Sequence, residues 1–173
     1  MSKSFLVSII LLFFSQMSDA KVVTVSDHGF IVENSITTSQ PAEVVWRALI
    51  NDIDQWWPKD HSWWGAEGKF MLTPKAGACF CEFAGDKSAE HMRISFVEPM
   101  KTLRMTGGLG PLQGMGMNGA LNWVFTRKAD QTVITLTYNV HGISAEGFEK
   151  LAQIVGKVQG IQLNGLKAFV DKR

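Results

Sequence analysis

From residue 69 onward, hydrophobic and polar positions alternate with a period of two, the pattern of strands with one dry face. It predicts strands at residues 69–73, 79–84, 89–97, 102–107, 120–127 and 132–141. An earlier stretch, 30–38, sets Ile31, Glu33, Ser35 and Thr37 against Phe30, Val32, Asn34 and Ile36, and reads as another half-buried strand. The turn Gly85-Asp86-Lys87-Ser88 makes a hairpin of strands 79–84 and 89–97. In the simplest register Glu82 faces His91 and Phe80 faces Arg93. One inward face runs through Met92, Ile94, Phe96, Leu103, Met105, Leu121, Trp123, Phe125, Ile134, Leu136, Tyr138 and Val140. The other carries Arg93, Ser95, Arg104, Asn122, Thr135, Thr137 and Asn139. This describes one antiparallel sheet, wet on one side, whose dry side needs a cover.

The period changes to 3.6 at residues 144–170, where a long helix is predicted with Ser144 as its N-cap. Phe148, Leu151, Val155, Val158, Leu166 and Phe169 fall on one arc of it, and Gln162 sits in the middle of that arc. A polar amide there must find a partner: Tyr138, the Trp123 indole N–H, or something in a pocket. Beside the arc, Ala152, Gly156 and Gly160 form a stripe of small residues, which either lets the sheet approach closely or leaves room for a ligand. Pro41 opens a short helix, Asn51 or Asp52 caps a second, and Pro58 ends it. Residues 58–68 then read as a loop that carries Trp63 and Trp64. Residues 107–119, GGLGPLQGMGMNG, break every pattern; six Gly in thirteen positions describe an apolar loop suited to the mouth of a pocket.

The composition adds what lies outside the fold. A chain of 173 residues, 46% hydrophobic and with formal charge +1, suffices for one domain with a real core and has no basic footprint for nucleic acid. Lys3, the apolar run at 5–14 and the small residues Ser18 and Ala20 read as a secretory signal peptide spanning 1–20, so residues 21–173 form the single domain of an exported, periplasmic or secreted protein. No later stretch is apolar enough to cross a membrane.

Candidate chemistry is sparse. Cys79 and Cys81, the only cysteines, lie two apart on one strand; buried thiols, a disulfide and a metal site are the readings, buried thiols leading. A metal site would draw on Cys79, Cys81, His91 and His61, or a copper(I) site on the cysteines with Met92 or Met115, but no metal-ligand spacing supports either, and no metal or cofactor is expected. Glu82, His91 and Arg93 lie together on one face, either as a carboxylate–histidine acid/base pair or, as the alternation favours, as a cross-strand ion pair on the outer, wet face. Glu90 is nominally inward, near the hairpin end. No serine–histidine–aspartate arrangement, phosphate loop or nucleotide fingerprint is present.

The stretches SITTSQPAEVVWRAL, CFCEFAGDKSAEHMRI and KTLRMTGGLGPLQGMG, with the final helix, resemble the START and birch-pollen-allergen-like (SRPBCC) superfamily. Within it the chain looks closest to bacterial polyketide cyclase/dehydrase-like and Hsp90-ATPase-activator-homology proteins. The resemblance implies an α+β helix-grip fold: a seven-stranded antiparallel sheet wrapped around the C-terminal helix, with two short helices after the first strand. It also implies an apolar small molecule or lipid-like ligand held between sheet and helix. The expected ligand-binding residues are Gln162, Trp63, Trp64, Met92, Met105, Trp123, Tyr138, Val155 and Val158. Two other functions fit the same sequence. One is a cyclase- or hydrolase-like enzyme using the cavity, with His61 or Glu90 as acid/base; the other is a partner-binding module using the Trp63/Trp64 loop and the Gly/Met loop.

Overall fold

The structure is a computed structural model that describes residues 21–173. The expected signal segment lies outside the described residues. Eight antiparallel strands form one sheet: β1 (Lys21–Ser26), β2 (Gly29–Thr38), β3 (Lys69–Leu72), β4 (Cys79–Ala84), β5 (Lys87–Glu98), β6 (Thr102–Thr106), β7 (Asn118–Lys128) and β8 (Gln131–His141). Their order across the sheet is β1-β2-β8-β7-β6-β5-β4-β3. Four helices accompany them: α1 (Ala42–Asn51), α2 (Ile53–Trp56), α3 (Pro111–Gly114) and α4 (Glu149–Val170). The sheet curls around α4, with α1 and α2 closing one flank, which is the helix-grip arrangement.

The sheet has one strand more than the seven expected. β1 pairs with β2 at the edge, and its side chains are exposed or half-exposed throughout, so it carries no apolar alternation to read. Outside β4 and β5 the dry face is as patterned. Trp123, Tyr138, Leu103, Met92, Ile94 and Met105 are all at most 2% exposed. At about 25 cal/mol per Å² of apolar surface, each such side chain contributes on the order of 1.5–3 kcal/mol.

Two bulges in β5 correct the predicted register. Phe80 pairs with Met92 and Cys81 with Glu90, which leaves His91 as the extra residue. Consecutive His91 and Met92 therefore both turn inward, and Glu82 faces Ala89 rather than His91. Glu82 and His91 are thus buried, not on the wet face, while Glu90 turns outward and pairs with Arg93. A second bulge at Ser95 turns Phe96 outward, where Arg104 lies 5.5 Å from its ring centroid.

The cysteines form a disulfide, with Cα atoms 5.4 Å apart. An ideal strand would hold them farther apart; opposite the His91 bulge the pair comes within bridging reach.

The long helix starts at Glu149, not Ser144. Gly147, at φ 77°, forms a turn in which the Ser144 hydroxyl donates to the Gly147 carbonyl at 2.7 Å. Its buried face holds Ala152, Gly156, Gln159, Gly160, Gln162, Leu163, Leu166 and Val170. The face turned to the sheet is thus rotated by about a fifth of a turn from the expected arc, onto the small-residue stripe. Those residues let β2 come close: Asn34 donates through Nδ2 to the Gly156 carbonyl at 3.1 Å, and a Cβ at Gly160 would lie 3.0 Å from Asn34 Oδ1. The rotation leaves Leu151, Val155 and Val158 only partly covered.

Candidate functional site

Those three residues form one wall of a cavity of about 310 Å³, a size typical of small-molecule sites. The opposite side comes from two loops. Asp60, His61, Ser62 and Trp63 follow α2, and Leu109, Gly110, Pro111, Leu112 and Met115 surround α3; Tyr138 of β8 and Ile154, Gln159 and Gln162 of α4 complete the lining. Trp63, Ile154 and Met115 are about half exposed, whereas Leu112 is buried.

The first loop is pinned at both ends. Lys59, in a 3-10 turn at Lys59–His61, donates to Asp54 at 2.5 Å and to the Gly68 carbonyl at 2.7 Å. Asp54 also accepts the Phe70 N–H at 2.9 Å; burial raises its pKa, but the Lys59 and Phe70 hydrogen bonds outweigh this and the net shift is downward. In the middle, fully buried Glu82 accepts the Ser62 hydroxyl, the Trp63 N–H at 3.2 Å and His91 Nε2 at 2.9 Å. Burial raises the Glu82 pKa, yet these three donors more than compensate and hold it below the usual carboxylate range. Burial pushes the His91 pKa down despite the neighbouring carboxylate, so the pair is an ionised Glu82 receiving a hydrogen bond from neutral His91. This network places the carboxylate between serine and histidine. It anchors a loop; a nucleophilic triad would need the histidine in the middle.

The second loop is held by Tyr138. Its hydroxyl donates to the Gly107 carbonyl at 2.7 Å and accepts the Leu109 N–H at 3.0 Å. Burial raises the phenol pKa to about 12, against the lowering effect of the Leu109 N–H, and keeps it a donor at any ordinary pH. The loop is not without regular structure: Pro111 starts the single turn α3, entered through Gly110 at φ 59°.

Of the residues singled out from sequence, Gln162, Trp63, Tyr138, Val155, Val158 and His61 lie together on the wall. Met92, Met105 and Trp123 pack in the core outside it, and Trp64 turns away, with Lys87 Nζ 5.7 Å from its ring. Glu90 points out of the cavity, as the bulge dictates. The partner of Gln162 is neither Tyr138, whose hydroxyl is committed to the loop, nor Trp123; it is His61 Nδ1, at a long 3.5 Å.

Asp60 and Ser62 were not anticipated on the wall, and neither was Gln159. It is 1% exposed, borders the cavity, and neither Nε2 nor Oε1 has a hydrogen-bond partner. It stands one helical turn before Gln162, and that i, i+3 spacing is the signal that could have found it.

Among the described residues, no three His, Cys, Asp or Glu side chains gather as a metal site, and no helix is long and apolar enough to cross a membrane.

No protein-family model matches the chain, and no curated protein does. Solved structures match its shape. CalU16 from Micromonospora echinospora superposes with TM-score 0.53 at 16% identity, over 88% of this chain and 83% of that one. A protein of the dynemicin biosynthetic locus, DynU16, gives TM-score 0.60 at 18% identity; 82% of this chain matches, and it spans only 47% of DynU16. SSP2350 from Staphylococcus saprophyticus gives 0.59 at 15% identity, over 82% of this chain and 91% of that one. At these identities the likeness establishes the helix-grip fold.

Proposed function

We propose that this chain is an exported member of the SRPBCC superfamily that binds an apolar small molecule or lipid-like ligand against α4, in a cavity closed by the two loops with Tyr138 as its one sheet residue rather than between α4 and the sheet face as expected. The carrying observation is the cavity itself: about 310 Å³, walled mainly by aliphatic side chains, with the unpartnered amide of Gln159 on its border. Apolar volume with a few inward polar groups is the general form of a ligand site. Leaving that amide unsatisfied costs on the order of 1–3 kcal/mol, so a ligand that reaches it recovers free energy as it binds. Export is supported by the Cys79–Cys81 disulfide, a bond favoured in oxidising compartments, together with the leader-like pattern of residues 1–20.

The test uses the neutral fluorophore N-phenyl-1-naphthylamine. Saturable one-site binding to the wild type is expected, and Val155→Trp, which fills the cavity, should weaken it at least tenfold. Equal binding by that variant would place the dye elsewhere and remove the proposal. N-terminal sequencing of protein from its native host should begin at Lys21; a chain that still carries Met1 or Ser2 would contradict export.

A further inference from the structure

We propose that this cavity selects a neutral apolar molecule with a hydrogen-bond donor and acceptor side by side on one edge, as in a lactam or carboxamide, and that Gln159 reads that edge. The inference rests on the cavity being a ligand site and narrows the ligand to a chemical class.

The charge of the wall is the first support. No Lys or Arg lines the cavity; its charged side chain is Asp60. A carboxylate or phosphate entering it would give up hydration, meet no Lys or Arg and face a carboxylate, with the His61 imidazole beside Gln162 as the one basic group on the wall. Anionic amphiphiles are therefore poor ligands for this wall.

The second support comes from counting which polar groups remain free. The Tyr138 hydroxyl is spent on the loop backbone at Gly107 and Leu109. Ser62 Oγ donates to Glu82 and accepts the Trp64 N–H at 3.0 Å. Gln162 has its long contact with His61. Gln159 alone on this wall is buried with its whole amide unused. A primary amide shows a carbonyl acceptor and an N–H donor on the same edge, and the complement of that edge is another amide edge. Gln159 lines the cavity while its amide nitrogen and oxygen are themselves covered and unpartnered, so the side chain must change rotamer for the amide to meet a ligand.

Three probes of one shape test this: naphthalene, 2-naphthamide and 2-naphthoate, titrated into the full chain and followed by calorimetry. On wild type, 2-naphthamide should bind about tenfold more tightly than naphthalene, as two net hydrogen bonds would give. 2-Naphthoate should bind more weakly than naphthalene. In Gln159→Leu the amide should fall to the level of naphthalene, while the variant melts at or above the wild-type temperature. Equal wild-type affinity for naphthalene and 2-naphthamide would overturn the role of Gln159 and leave the cavity as a binding site. Tightest binding of 2-naphthoate would overturn neutrality in favour of an anionic, lipid-like ligand. Failure of all three to bind would overturn the cavity reading as well. The wild-type ranking decides even if the variant folds poorly.

Discussion

His91 and Glu82 meet at 2.9 Å beneath the Trp63 loop, with the rings of Phe70 and Phe80 centred 5.6 and 5.1 Å from the imidazole. Burial resists protonation of His91 in the folded chain, whereas in the unfolded chain the imidazole takes up a proton near 6.5. Between the lowered folded value and 6.5 the unfolded state binds more protons, so stability falls as pH falls through that window. The slope is at most about 1.4 kcal/mol per pH unit for one group. Glu82, also lowered, adds its own loss below its unfolded value of 4.5. Thermal melts from pH 7.5 to 5 should therefore show a falling midpoint, and His91→Gln should flatten that fall. Superimposable profiles for variant and wild type would refute the assignment. The sequence made Gln162 visible because it interrupts an apolar arc. Gln159 was hidden because it lies beside Gly160, outside the apolar arc that made Gln162 conspicuous.

Which side chains face inward on β5 turns on residues that the alternation cannot rank. A bulge changes no composition; it inserts one residue, so Glu90, His91 and Phe96 all exchanged faces relative to the simple pattern. The elements themselves were legible where burial is one-sided, as on β7 and β8, and β1 was not because the edge strand buries little. The pinned loop gives a prediction at this scale. Gly68 sits at an ordinary backbone φ of −65°, but a Cβ there would overlap Glu82 Oε1 and Ser62 Oγ. Gly68→Ala must push the carboxylate off its donors and should cost on the order of 3 kcal/mol. Gly114→Ala, where a Cβ meets nothing within 4 Å, is the control and should leave the melting temperature nearly unchanged. A Gly68→Ala protein as stable as that control would show that the Glu82 network does not hold the loop.

At the scale of the whole molecule, a strand, two short helices, a meander and a long helix leave few ways to cover one dry sheet; the pattern predicted those elements, and the sequence resemblance supplied their helix-grip arrangement. The cavity was legible in part: room for a ligand was one of two readings of the small-residue stripe, but the side of α4 it lies on was not. It exists because α4 turns its small-residue face to β2, leaving Leu151, Val155 and Val158 against two loops rather than against the sheet. That geometry is the central claim, and methyl NMR during a naphthalene titration tests it most directly. Saturable ring-current shifts are predicted for the methyls of Leu112, Leu151, Val155 and Val158, with those of Val45, Leu49 and Ile134 in the core unmoved. Naphthalene shifts that appear equally at the core methyls, or that never saturate at the wall, would contradict the account.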